Sequence, residues 1–229
     1  MRVITLHPGK RKELSEAIEA AERILQSGNI VVVPTDTAYV LAANPFDGSA
    51  LQRLARIAPA YETKPIPLGL SDFQMAEQFA YLSKKDTGVL EEIWPGPTIA
   101  VVHRRPAIPL ALSRGLNSVP LRIPDHKIPV YLIAQFGLPI SLIPAHPQGE
   151  LDSRDPEKII ALYDRRYPAP ELLLNVGELK NAQSSTILDL TTSQPKIVKT
   201  GMITKKELDE LILRAERQRS REVLDKLEQ

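Results

Sequence analysis

The 229-residue sequence contains no cysteine. Disulfides, zinc–thiolate and iron–sulfur centres, and a cysteine nucleophile are therefore excluded. It has no excess of either charge, since 29 Lys+Arg face 28 Asp+Glu for a formal net charge of +1. That balance speaks against the broad basic field of a general nucleic-acid binder and against an acidic tail, while leaving room for a local basic cleft. No apolar run reaches the roughly 18 residues of a membrane span. The opening MRVITLHPGKRKELSEA meets charges before any apolar stretch long enough for a signal peptide. A soluble protein of a reducing compartment, in the cytoplasm, is expected.

The common catalytic signatures are missing too. Gly9-Lys10 lacks the upstream glycine and downstream hydroxyl of a phosphate loop. No G-x-G, G-x-S-x-G or H-E-x-x-H occurs. His7, His103, His126 and His146 lie far apart without ligand spacing, so no metal site is expected.

What the chain does have is proline, 20 residues in all. That is nearly double the usual share of about 5%. Pro34, Pro65, Pro97, Pro124 and Pro144 each border an apolar run rather than a Ser/Gly tract, as expected at strand-to-loop junctions. Helical spacing predicts a helix over 11–27 stopped by Gly28, and further helices from Ser49, after a Ser71 cap, over 84–93, over 128–136 and from Asp155 to Leu162. Apolar runs predict strands at 29–33, 66–70, 98–102, 119–123, 139–143, 172–174, 187–190 and 197–199. Short connections between alternating elements predict one α/β or α+β domain with a mixed sheet over residues 1–203. A separate segment, 204–229, opens with the capping-box pair Thr204 and Glu207 and carries Leu208, Leu211, Ile212 and Ala215 on one stripe. It reads either as a docked surface helix or as a homodimer or partner helix.

Pro34-Thr35-Asp36-Thr37 sets hydroxyls and a carboxylate at the end of a buried strand, where open α/β sheets bind ligands; an ordinary capped turn explains the four residues equally. Further segments point to a family. The run Ile30 to Tyr39, Leu51 to Ile57, Lys64-Pro65, Trp94-Pro-Gly-Pro-Thr98, Leu121-Arg-Ile-Pro-Asp-His126, Ser184 to Leu190 and Ile197 to Gly201 stand in order along the chain. In these segments the chain resembles the YrdC/YciO family, whose enzymatic members make threonylcarbamoyl-adenylate for a tRNA modification.

The resemblance implies a twisted mixed sheet flanked by helices. It also implies nucleotidyl transfer, in which a carboxylate made from L-threonine and bicarbonate attacks the α-phosphate of ATP, usually with magnesium. Such a nucleophile is already an anion, so cations and positioning groups suffice. By position, Thr35, Lys64, Arg122, Ser185 and Thr186 would meet threonine, while Lys199 and His146 would meet the nucleotide. Departures accompany the matches. The family's K-x-R cations become Ala58 and Ala60, its S-x-N becomes Pro144 and His146, its YGL glycine becomes Val40, and an acidic residue becomes Ser184. Charge-assisted hydrogen bonds contribute ~1.5–3 kcal/mol each, so this loss weakens a triphosphate clamp. With Asp155-Pro-Glu-Lys-Ile159, the departures lean toward the YciO branch. A second possibility is therefore a catalytically impaired member that binds RNA, a nucleotide or a metabolite.

Overall fold

The computed structural model describes residues 1–147, 149, 152–180 and 182–227. Strand β1 (Arg2–Thr5) precedes helix α1 (Arg11–Gln26), which buries Ala17, Ile18, Ala21 and Leu25 on one face. The helix stops at Gly28, where φ is +71° and an added Cβ would meet Asp47 Oδ2 at 2.7 Å. Strands β2 (Val31–Pro34) and β3 (Tyr39–Ala42) then form an antiparallel hairpin in which every residue is buried. Asp47 caps α2 (Gly48–Ile57) by accepting from the Ser49 and Ala50 amides.

Next come β4 (Leu68–Gly69), α3 (Phe73–Phe79), β5 (Ala80–Tyr81) and α4 (Lys84–Ile93). Asp72, not Ser71, caps α3, because its carboxylate accepts from Met75 N at 2.7 Å while the Ser71 hydroxyl donates to that carboxylate. The second half of the chain supplies β6 (Thr98–Arg104), β7 (Ser118–Arg122), α5 (Lys127–Phe136), β8 (Ile140–Ser141) and β9 (Ile143–Pro144). It ends with α6 (Pro156–Asp164), β10 (Leu172–Asn175), β11 (Thr186–Asp189), β12 (Lys196–Lys199) and α7 (Lys205–Leu227).

The strands form two mixed sheets that share one apolar core. The first has the order β1-β10-β2-β3-β9, with β10 inserted in parallel between β1 and β2. The second has the order β12-β11-β6-β7-β4-β8, with β5 on β6. The predicted strand over 139–143 divides into β8 and β9, one in each sheet. Ser141 makes the transfer: its hydroxyl donates to Leu41 O at 2.8 Å and accepts from Ala43 N at 3.0 Å, tying β8 to β3. A buried serine at that point satisfies backbone groups that a sheet change would otherwise orphan.

Helix α7 packs its first turns on α4, with Leu208 buried and Ala215 close enough that a Cβ at Gly88 would sit 3.3 Å from it. Its capping box forms as expected, Glu207 Oε2 accepting from Thr204 N at 2.8 Å. No helix among the described residues is long and apolar enough to cross a membrane.

Candidate functional site

The turn between β2 and β3 is shaped by a threonine. The Thr35 hydroxyl accepts from the amides of Thr37 and Ala38, both at 3.1 Å, and donates to Ala38 O at 2.7 Å. This closed loop of local bonds, available to Ser and Thr at turns, leaves Thr35 buried and sends Asp36 and Thr37 toward the end of β7. There Arg122 is 2% exposed. Its Nε donates to Gly96 O at 2.9 Å, Nη1 to Thr37 Oγ1 at 2.9 Å and to Ser185 Oγ at 3.3 Å, and Nη2 to Asp36 Oδ1 at 2.6 Å. Three segments far apart in sequence thus converge on one guanidinium, and the fixed fork of arginine is what serves their four oxygen acceptors at once. The second Asp36 oxygen, Oδ2, is buried with no hydrogen-bond partner.

A cleft of about 220 Å³ opens beside this cluster. Thr37, Arg122, Ser185 and Lys199 supply its polar wall. Val40, Ile99, Leu142, Pro144 and Ile187 supply the apolar one. Of the residues singled out by sequence, Arg122, Ser185 and Lys199 therefore come together. Thr186 turns the other way, as alternation along β11 requires, and its hydroxyl accepts from Ile203 N at 2.9 Å. Thr35 is occupied by its own turn, and Lys64 is exposed outside the lining. His146 is half-buried outside the lining, its amide donating to Ser153 Oγ at 2.7 Å.

Ser185 is held in place by a backbone approach. At Gly201 an added Cβ would land on the Ser184 carbonyl oxygen and on the Ser185–Thr186 peptide, so only glycine lets the segment after β12 lie against β11 there. Ala58 ends α2 and Ala60 is exposed, and neither lines the cleft; of their loop Tyr61 does. The loop they occupy is tied down by Arg114, whose Nη2 donates to Tyr61 O at 2.7 Å. Arg114 has φ +55°, a conformation uncommon outside glycine, which aims its side chain at that loop.

Asp36, Thr37 and Arg154, whose Nε donates to Thr37 O at 3.3 Å, are site residues that sequence reasoning passed over. The first two were visible in the PTDT run. A turn hydroxyl that bonds two residues onward hides itself and presents its successors, so Thr35 was the less exposed choice. Nothing local marks Arg154. Two buried tyrosines brace the surroundings. Tyr39 donates to Gly177 O at 2.7 Å and accepts from Val176 N at 2.9 Å, and burial pushes its hydroxyl up to about 12. Tyr163 donates to Ala145 O at 2.8 Å, and burial pushes it up to about 12 as well. Among the described residues, no group of three or more His, Asp or Glu is placed to hold a metal ion.

Comparison with known proteins adds a lineage. The Sua5/YciO/YrdC family model, described as "Telomere recombination", matches residues 23–201. A threonylcarbamoyl-AMP synthase of Pyrococcus abyssi is 26% identical over 196 residues, 85% of this chain and 57% of that protein. The chain thus spans little more than half of that relative's length. Among solved structures, P. abyssi Sua5 complexed with L-threonine superposes with TM-score 0.81 at 22% identity, covering 93% of this chain and 61% of that one. E. coli YciO superposes with TM-score 0.76 at 22% identity, covering 90% of this chain and 98% of that one. At such identities the superpositions establish the fold.

Proposed function

Because the chain belongs to the Sua5/YciO/YrdC family, we propose that it is a nucleotidyltransferase of the threonylcarbamoyl-AMP synthase type, acting in the cytoplasm toward tRNA threonylcarbamoyladenosine. In this reading the amine of L-threonine forms an N–C bond with bicarbonate, a C–O bond breaks and water leaves, and the resulting carboxylate attacks the α-phosphorus of ATP. An oxygen–phosphorus bond forms there, the bond to the β-phosphate oxygen breaks, and pyrophosphate leaves with the electron pair. The observation that carries the reading is the convergence of Thr37, Gly96 and Ser185 on Arg122, with Asp36 fixing the guanidinium plane.

The cleft volume of about 220 Å³ suits an amino acid rather than a whole nucleotide, being below the ~300–1,000 Å³ of drug-sized sites. Arg122, Thr37 and Ser185 would hold the polar end of threonine, and Val40 and Leu142 its methyl. Lys199 would meet phosphates lying across the open side; it carries the charge without an arginine's bidentate fork. Magnesium would arrive on ATP, held by the substrate's own phosphates. Thr35 would act by setting the turn that presents Thr37, and Thr186 by anchoring the Ile203 amide beside Ser185, while Lys64 and His146 lie outside the lining. The assay is pyrophosphate release from ATP with L-threonine and bicarbonate, which Arg122→Lys should depress. Absence of release, together with no ATP binding by calorimetry, overturns the reading.

A second reading is favoured by Ala58, Ala60 and Pro144, which leave Arg122 and Lys199 as the cations in the lining among the described residues. It holds the chain to be a non-catalytic binder of RNA or of a small metabolite. RNA affinity falling steeply with salt would support its RNA form. A homodimer contact on α7, whose Leu213 is exposed, is compatible with either reading; an oligomeric state unchanged by deletion of 205–229, or no oligomer at all, would exclude it.

A further inference from the structure

A second and larger concavity, of about 1150 Å³, lies where the chain leaves β1 and β10, between the first turns of α1 and α5. It shares no lining residue with the Arg122 cleft. Its rim carries His7, Lys10, Arg11, His126 and Lys127, and among the described residues no Asp or Glu lines it. Glu13, just outside, already pairs with His7 Nδ1 at 3.2 Å and with Lys10 Nζ at 3.3 Å. Arg11 and Lys127 are exposed and have no carboxylate partner among the described residues.

The backbone adds to this charge. Lys10, the residue before α1, offers no side-chain cap; the first turn borders the concavity through Arg11, whose amide donates to Gly9 O at 3.1 Å, and the positive end of the helix adds to the rim charge. His126 accepts from Ile128 N through Nδ1 at 3.3 Å, which leaves Nε2 as the hydrogen-bearing nitrogen of the neutral ring. The other half of the lining is apolar. Leu14, Ile18 and Ile128 form the floor, and Tyr131, 51% exposed, stands at the edge.

Cations and helix amides on one side of an apolar recess, at the carboxyl ends of parallel strands, suit a ligand with a phosphate at one end and a flat ring at the other. We propose that this concavity is a second ligand site that takes a nucleoside monophosphate. Its phosphate lies between Arg11, Lys127 and the first turn of α1, and its base lies against Tyr131 and the Leu14–Ile18 floor. Base–aromatic stacking needs only one such face. Two rim cations without a carboxylate partner, Arg11 and Lys127, match one phosphate and favour a mononucleotide over a nucleic-acid strand, which would need a basic track. The proposal does not depend on the reaction assigned to the Arg122 cleft.

The test is a titration of the ¹⁵N-labelled full chain with AMP, followed by backbone amide shifts. Shifts at residues 9–13 and at Ile128, Val130 and Tyr131 are expected, weakened tenfold or more by the double variant Arg11→Glu/Lys127→Glu and unchanged by Lys199→Glu. Tyr131→Ala should weaken AMP while sparing inorganic phosphate. Because the altered side chains are exposed, the dispersion of each variant's own spectrum reports that it is folded. Shifts confined to the surroundings of Arg122 and Lys199 would overturn the proposal and leave the reading of that cleft standing. Inorganic phosphate binding as tightly as AMP would reduce the concavity to a bare anion site. An oligoribonucleotide that shifts these amides where AMP does not would make it an RNA surface, and either result rejects the mononucleotide.

Discussion

Replacing Arg122 with leucine tests the centre of the site as a piece of folding machinery, apart from any ligand. The side chain of Arg122 is 3% exposed and that of Asp36 16%, so the pair is nearly dry. Leucine removes the donor to Gly96 O, Thr37 Oγ1, Ser185 Oγ and Asp36 Oδ1 together, and Asp36 Oδ2 already lacks a partner. Breaking a buried pair from one side leaves an uncompensated charge and costs about 3–5 kcal/mol. For a chain of this length, each kcal/mol shifts the melting temperature by about 2–4 °C, so a fall of roughly 6–20 °C is expected. Asp36→Asn should cost less, because the guanidinium keeps three oxygen acceptors. The double variant should lose at least about 1 kcal/mol less than the sum of the singles, the signature of direct coupling. Urea titrations of the four proteins supply the cycle. A loss below about 1 kcal/mol in Arg122→Leu, or simple additivity, would refute the view that this pair organises the turn.

Burial holds the His126 imidazole below the ordinary histidine range. The unfolded chain therefore binds that proton first, and stability should fall as pH drops below about 6.5; a flatter urea-midpoint profile between pH 5 and 7.5 in His126→Gln checks this. At the alkaline end, Tyr39 and Tyr163 ionise near 12 in the folded chain. Stability should thus decline from about pH 10, where free tyrosine ionises, with Tyr39→Phe shrinking the decline. At neutral pH the same variant leaves Gly177 O and Val176 N unanswered, a loss of about 1–3 kcal/mol visible by thermal melting. Gly201→Ala should push the segment after β12 off β11 and displace Ser185; pyrophosphate release should drop more than the melting point implies, and unchanged turnover would count against the role of that approach.

The helices were readable because their signals are local. The Leu14–Ile18–Ala21–Leu25 stripe, the Gly28 stop and the Thr204–Glu207 box each lie within a few turns of chain, and each stands where expected. Strands β1 and β3 were not anticipated. Neither makes sense alone, since β1 has three of its four residues exposed and exists by pairing with β10, and β3 follows a turn whose geometry depends on one hydroxyl. The division of 139–143 between two sheets escaped for the same reason, since Ser141 finds its partners in Leu41 and Ala43. In the site, Arg122 was legible from its surrounding segment, whereas Arg154 and Arg114 reach it only through the fold. Which way a residue faces was the harder question: Ser185, just before β11, meets Arg122, whereas Thr186, the first residue of that strand, bonds the Ile203 amide.

Strand β10 fills the gap between β1 and β2, and Glu171 beside it receives the Ile30 amide from 141 residues away. During synthesis at ~5–20 residues per second, β1 and β2 therefore wait on the order of 10 s for the strand that joins them. Through that interval Val31, Val32 and Val33 have the β3 hairpin on one side and an open edge on the other. A chain halted before residue 172 would carry most of its core residues and still present an unfinished sheet, open to a neighbouring strand. The nascent polypeptide is thus at its most vulnerable late in synthesis, and release into a crowded cell is safest when it follows, rather than precedes, the arrival of one four-residue segment.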